Sequence, residues 1–416
     1  MAALIGAVLA FCVFCGGAFA EVAGDMRDAD AEFFAGRFDH ARQLYEAVPA
    51  TSANYGAAQR QLGAIALYEN RLDEAERLLL AAADKDPGDT KADLLLAEVA
   101  NRSGDFAAAS RWLVKAGKPE QALAFEVFPD TKPYRVDSAA KRARVPFVKT
   151  DPLPLVEARV DGKAGLFLID TGAAEMVLDP EFAKETRTES VSSSTGTFAG
   201  GKTAGITYAR VLKFSIGALD VANVQAILVS TAGFTSAAGG KPVAGVIGTE
   251  FLSRFRATLD YPGGALILEP RDSPTWSSPP VAEIPFWLVR DHFILARGAL
   301  NDGPEQMFFV DTGLADAGFT APASTFAADG IPLPALQSAP AHQVGQSAAV
   351  PIDIHRLSLG PVTREHVGAL YGPFPPTLES STGVHIGGII SHAFFRPYAL
   401  TFDFVRMKLV LRKPQT

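Results

Sequence analysis

Apolar residues are placed by three different rules along this chain. Residues 2–20 are uncharged and almost entirely apolar. From about residue 26 to 125, small and large apolar residues recur every 34 positions: Ala41, Ala75 and Ala109; Leu62 and Leu96; Gly63 and Ala97; Leu79 and Leu113. Small residues suit places where two helices approach closely, and the leucines suit a second helix facing its neighbour. Gly36-Arg37-Phe38, Asn70-Arg71-Leu72 and Gly104-Asp105-Phe106 repeat at the same period, and Asp86-Pro87-Gly88-Asp89 punctuates one boundary. Past residue 140 the pattern shortens to strand alternation, as in Leu153-Pro154-Leu155-Val156-Glu157-Ala158-Arg159-Val160, which ends at an Asp161-Gly162 turn. Proline marks the change: residues 21–140 hold five and residues 141–416 hold 23.

The 34-residue period resembles the tetratricopeptide repeat, a helix-turn-helix unit that stacks into a superhelix. The resemblance covers about residues 26–125, and its first unit is partial. It implies a concave surface suited to a protein partner or a substrate. The alternative is a helical cap that only packs on the next domain. Residues 126–144, with the basic run Lys141-Arg142-Ala143-Arg144, read as a solvated linker.

The strand-rich part repeats with a longer period. Val145-Pro146-Phe147 is echoed by Ile284-Pro285-Phe286, and Asp161-Gly162 by Asp302-Gly303. Phe167-Leu168-Ile169-Asp170-Thr171-Gly172 is echoed by Phe308-Phe309-Val310-Asp311-Thr312-Gly313. The stretch from Gly245-Val246-Ile247-Gly248 to Leu259-Asp260 is echoed from Gly388-Ile389-Ile390-Ser391 to Phe402-Asp403. Ordered matches at nearly one offset predict tandem copies over residues 145–272 and 283–416.

Asp170 and Asp311 each end an apolar strand and precede Thr-Gly, which suits a tight loop. Burying a carboxylate without partners is costly, so an acid there has a purpose. Two equivalent loops would meet at a pseudo-two-fold axis with their carboxyls side by side. Like charges that close share one proton and titrate as a unit. The ionised member takes a proton from water and the protonated member donates to a carbonyl oxygen. That is amide hydrolysis without a covalent intermediate.

Two Asp-Thr-Gly triplets, each followed downstream by apolar residues and, in the first copy, Gly248, resemble the aspartic proteases over residues 145–416. The two copies look like the pepsin-type bilobal arrangement; the short lobes and Asp170-Thr171-Gly172-Ala173 look more like the retroviral type. The resemblance implies that Asp170 and Asp311 are the catalytic dyad, that Thr171 and Thr312 brace the two loops across the axis, and that Gly172 and Gly313 permit the loop geometry. It also implies a flap around Ser194–Lys202, with Gly196, Thr197, Phe198, Gly200 and Gly201 as candidates. Ser391 in place of Gly248, and Leu314 in place of Ala173, depart from the first copy. Glu175 and Asp316 read as local hydrogen-bonding residues, and Asp260 and Asp403 as turn acids.

Composition narrows the alternatives. With 38 Lys+Arg against 46 Asp+Glu, the net charge of -8 argues against nucleic-acid binding. An apolar content of 48% is ample for a core. Both cysteines, Cys12 and Cys15, lie in the leader, so its removal would leave no thiol chemistry. The seven histidines show no zinc-protease spacing and read as surface or packing residues. No Gly-x-Ser-x-Gly elbow or phosphate loop is present, and no metal or cofactor is called for. The leader ends in the small-x-small pattern Ala18-Phe19-Ala20 but lacks a basic start. It predicts a signal peptide over 1–20 and an exported, periplasmic or secreted protein, or else a retained membrane anchor.

The expected fold is multidomain, α plus all-β: helical tetratricopeptide-like repeats over 21–125, a linker over 126–144, and a bilobal duplicated aspartic-protease fold over 145–272 and 283–416. The expected function is an aspartic endopeptidase acting on a peptide or protein substrate, with the repeats docking substrate or partner. A non-catalytic peptide- or protein-binding module with a protease-like fold is the alternative.

Overall fold

The computed structural model describes residues 26–413, apart from 127, 129–131, 199–201, 275–278, 316, 334–341, 345–346, 373 and 375–376. The expected signal peptide, Gly200, Gly201 and Asp316 lie outside the described residues.

The chain begins with helices α1 (Arg27–Phe34), α2 (Phe38–Glu46), α3 (Tyr55–Tyr68), α4 (Leu72–Lys85), α5 (Thr90–Ser103), α6 (Phe106–Lys115) and α7 (Pro119–Glu126). Local chemistry sets their ends. The Asp89 carboxylate caps α5 by accepting from the Lys91 and Ala92 amides at 3.1 and 3.2 Å, and Asp105 caps α6 by accepting from Ala108 at 2.8 Å. Ala41, Ala75 and Ala109 are completely buried, which is where the 34-residue period put small side chains.

Two β-rich halves follow. The first contains β1 (Arg135–Val136), β2 (Ala143–Lys149), β3 (Leu155–Val160), β4 (Lys163–Ile169), β5 (Met176–Leu178), α8 (Pro180–Lys184), β6 (Glu189–Phe198), β7 (Lys202–Ile216), β8 (Leu219–Leu228), β9 (Val243–Ile247), α9 (Thr249–Leu252), β10 (Arg256–Asp260) and β11 (Ala265–Glu269). The second contains β12 (Ala282–Val289), β13 (Phe293–Leu300), β14 (Gln306–Asp311), β15 (Phe319–Ala321), α10 (Ala323–Ala328), β16 (His342–Val344), β17 (Ser347–Leu359), β18 (Val362–Tyr371), α11 (Thr377–Thr382), β19 (Gly388–Ser391), α12 (His392–Phe395), β20 (Ala399–Asp403) and β21 (Lys408–Arg412).

Each half closes on itself. In the first, pairing runs β3–β4–β9–β5–β8–β7 and back to β3. In the second it runs β13–β14–β19–β15–β18–β17 and back to β13. In both circuits the strand ending at an aspartate lies parallel to its partner, β4 to β9 and β14 to β19. Closure leaves these strands without open edges. A further sheet, in the order β2–β11–β10–β20–β21–β12, joins the halves through the β10–β20 pair.

Residues 134–136 of the segment expected as a linker are part of the first half. Arg135 and Val136 pair with Ala222 and Val221 of β8, and the Tyr134 ring is buried beneath the Arg254 guanidinium, 4.6 Å away. An aromatic residue and a strand bridge anchor what composition alone marked as solvated.

The helices are packed onto the β region. One apolar cluster contains Phe33, Phe38, Tyr45 and Leu79 together with Val289, Met307, Phe309 and Ile389 of the second half. The Arg102 guanidinium donates to the Leu67 carbonyl at 2.8 Å and the Leu288 carbonyl at 3.0 Å, and Asn70 donates to the Phe404 carbonyl at 2.9 Å. At the other end, Phe106 and Phe128 enter the β core, and Ala124 of α7 packs with Ile206 and Tyr208 of β7.

Candidate active site

Asp170 follows β4 and Asp311 ends β14. Apolar residues drive both strands inward: Phe167, Leu168, Ile169, Phe308 and Val310 are completely buried. The register then delivers a carboxylate to the end of each strand. Asp311 lies opposite Ser391 of β19, and the Asp170 amide donates to the Ile247 carbonyl at 3.2 Å.

The two loops are locked by a reciprocal set of hydrogen bonds. The Thr171 amide donates to the Thr312 hydroxyl at 3.0 Å, and that hydroxyl donates to the Ile169 carbonyl at 3.1 Å. In mirror fashion, the Thr312 amide donates to the Thr171 hydroxyl at 3.0 Å, which donates to the Val310 carbonyl at 2.8 Å. Both threonines are fully buried. Only a residue whose hydroxyl accepts and donates at once can complete this circuit.

Within each loop the glycine amide orients the acid: Gly172 donates to Asp170 Oδ1 and Gly313 to Asp311 Oδ1, both at 2.8 Å. The glycines also leave space for the opposite acid. A Cβ on Gly172 would lie 2.7 Å from Asp311 Oδ1, and one on Gly313 would collide with the Asp170 carboxyl. Each carboxyl therefore lies against the opposite loop, and the two acids influence one another's ionisation. Burial and the neighbouring Asp170 charge push Asp311 well above the usual carboxylate range. Burial also raises Asp170, but the neighbouring Asp311 carboxyl, the loop amides and His292 oppose the rise.

Downstream, the halves differ. On the first side, the Thr249 hydroxyl donates to the Thr171 carbonyl at 3.0 Å, and the Thr249 amide to the Ala173 carbonyl at 2.9 Å. Gly248 is obligatory there, because a Cβ would run into the Glu175 carbonyl. On the second side, Ser391 is buried, and its hydroxyl donates to the Ala317 carbonyl and accepts from the Ala393 amide. The Gly-to-Ser departure is thus accommodated by a hydroxyl that caps α12.

The flap candidates Gly196, Thr197 and Phe198 lie in β6, paired with Ala204, Thr203 and Lys202 of β7. This hairpin touches the helical region, where the Ser192 hydroxyl donates to the Glu120 carbonyl at 3.3 Å. A groove of about 920 Å³ on the first half is lined by Leu166, Phe182, Lys241 and Val243, and neither aspartate reaches it.

Other polar groups have roles that only the fold shows. His292, in the β12–β13 turn, hydrogen-bonds Asp291 through Nδ1 at 2.6 Å and acts on the Asp170 charge. Glu175 is not merely local: burial, with the Asp291 and Glu250 carboxylates of other elements nearby, pushes it up to about 7. His392 is buried at the start of α12. Asp260 and Asp403 accept backbone amides in turns, Gly263 at 2.9 Å and Arg406 at 2.9 Å.

Residues 156–251 match the family model described as Aspartyl protease, a family of protease-type hydrolases. The match contains Asp170 and stops before Asp311, and it marks this segment as an aspartyl protease-like domain. No curated protein is similar enough to the chain to match it.

Proposed function

We propose that this protein is an aspartic endopeptidase of the bilobal, retropepsin-like kind, with Asp170 and Asp311 as its catalytic pair. The observation that carries the reading is the reciprocal Thr171–Thr312 lock, which holds the two carboxyls face to face. Asp170 takes a proton from a water while the water oxygen attacks the peptide carbonyl carbon. Asp311 gives its proton to the carbonyl oxygen. Collapse of the resulting diol breaks the C–N bond, and the leaving nitrogen takes a proton from the pair. The β6–β7 hairpin is the flap in this reading. An extended substrate would pair its backbone with the cleft strands, and side-chain pockets would supply specificity.

The matching strand circuits support descent of the halves from tandem copies, and the 34-residue period supports α1–α7 as tetratricopeptide-type repeats. Their shared core with the second half supports a bracing role over a free docking surface. The leader supports export with cleavage after Ala20, which mass spectrometry of the mature N-terminus tests.

The test of function is a mixed peptide library assayed from acidic to neutral pH. The wild type should cleave it, and Asp170→Asn and Asp311→Asn should each abolish cleavage while leaving the thermal unfolding profile cooperative. A wild type that cleaves nothing would transfer the reading to the peptide-binding alternative.

A further inference from the structure

We infer that α7 is a positioning element for the β6–β7 hairpin: through Ala124 and the Glu120 main chain it holds the root of the hairpin, so the helical region sets how the hairpin meets the cleft. The inference rests on the reading of that hairpin as the flap.

Strand pairing defines the root. The β6–β7 ladder runs from Glu189 opposite Arg210 to Phe198 opposite Lys202. The β7–β8 ladder ends sooner, at Thr207 opposite Leu228, and β6 pairs only with β7 among the described residues. Beyond Thr207 the hairpin is therefore a two-stranded ribbon, which is marginal by itself in water. Its position depends on what grips it where the third strand stops.

α7 grips it there. Ala124 is 2% exposed and shares an apolar cluster with Ile206 and Tyr208 of β7 and Ile227 of β8. Ile206 and Tyr208 are two apart in the strand, so they present one face, and they bracket Thr207, where the β7–β8 ladder ends. On β6, Ser192 lies opposite Tyr208, and its hydroxyl donates to the Glu120 carbonyl at 3.3 Å. One helix thus touches both strands of the hairpin at the level where lateral support ends. Alanine suits position 124 because a longer side chain would hold the helix off the sheet.

α7 is itself fixed. Ala122 is fully buried and clusters with Ala97 of α5 and Leu113 of α6. The Phe125 ring meets Phe106 of α6 edge-to-face at 5.0 Å, Phe106 meets Phe128 at 5.2 Å, and the Ser110 hydroxyl donates to the Glu126 carboxylate at 3.1 Å. Phe106 and Phe128 belong to the core of the β region. At the barrel end of the hairpin, the Arg210 guanidinium pairs with Glu189 at 2.9 Å and lies 5.9 Å from the Phe128 ring. The hairpin is hung from the last two helices, and a shift of α6 and α7 moves it.

The experiment compares wild type, Ala124→Ser, Ala124→Glu and Ile206→Ala in the full chain. Ser keeps the contact, Glu sets a carboxylate against Ile206 and Tyr208, and Ile206→Ala withdraws the contact from the strand side, which serves if Ala124→Glu fails to fold. Amide hydrogen exchange, followed by mass spectrometry, needs no turnover. In Ala124→Glu and Ile206→Ala, residues 192–207 should exchange about tenfold faster or more, with β9 and β10 as in wild type. In peptide cleavage the same two variants should raise KM about fivefold or more with kcat changed less, and Ala124→Ser should match wild type in both. Unchanged exchange over residues 192–207, or acceleration spread equally over β9 and β10, overturns the positioning role even if the protein cleaves nothing. Selective acceleration in a protein that cleaves nothing upholds the contact and locates the failure in the catalytic reading. Selective acceleration with KM unmoved in an active enzyme overturns the link to the cleft.

Discussion

The Thr258 and Thr401 hydroxyls meet at 2.7 Å across the middle of the β10–β20 pair. They occupy equivalent places in the two halves, as Thr171 and Thr312 do in the dyad loops. The two contacts differ in place: one joins the halves through the β10–β20 pair, and the other ties the two Asp-Thr-Gly loops together.

Thr171→Val keeps the side-chain shape but removes the hydroxyl, leaving the buried Thr312 amide and Val310 carbonyl unpaired. We expect a stability loss of about 3 kcal/mol, read by denaturant unfolding, together with a large fall in kcat. Thr258→Val should cost about 1 kcal/mol and leave kcat alone. Equal effects of the two substitutions on kcat would contradict the assignment of the lock to the dyad.

Gly313→Ala places a methyl group against the Asp170 carboxyl. It should abolish cleavage while unfolding cooperatively, because the clash falls on a flexible carboxyl at the cleft and not on the core. Retained activity in this variant would show that the carboxyls are not held face to face.

Acid stability should carry the signature of His392. Its folded value of about 4 lies below the ordinary 6.5, so the unfolded chain binds more protons between those values. Stability then rises with pH across that window, and acidification from 6.5 to 4 costs about 3 kcal/mol. His392→Gln should flatten this part of a stability–pH profile measured by urea unfolding.

Glu175 has the opposite sign. Its folded value is raised to about 7, so its protonated form contributes stability below about 4.5 that is lost as pH rises through 7. Glu175→Gln should remove this slope and leave the variant relatively more stable above neutral pH. A Glu175→Gln profile parallel to wild type between 4.5 and 7 would refute the buried placement of the carboxyl.

Phe38 is fully buried and its ring lies 5.5 Å from Trp287 of the second half. Phe38→Ala should cost about 3–5 kcal/mol and destabilise the helices and the second half in one transition. Separate melting of the helices, with β12–β14 intact by hydrogen exchange, would show that the shared core does not couple them.

Local order left strong marks in the sequence. A 34-residue period of small and large apolar residues placed the helices, and period-2 alternation with Asp-Gly turns placed the strands, because backbone geometry repeats over short distances. The two Asp-Thr-Gly triplets were visible because chemistry that needs an acid on a tight loop confines neighbouring residue types. Their lock was visible only in outline, since Thr171 and Thr312 are 141 positions apart and bond through main-chain groups that any residue carries. Tertiary structure alone decided that Tyr134 and β1 belong to the first half, that the helices share a core with the second, and that His292 acts on Asp170 while Asp291 and Glu250 act on Glu175. Each of those placements depends on which distant surfaces meet, and a charge is shifted by its neighbours in space, whose identity no local pattern encodes.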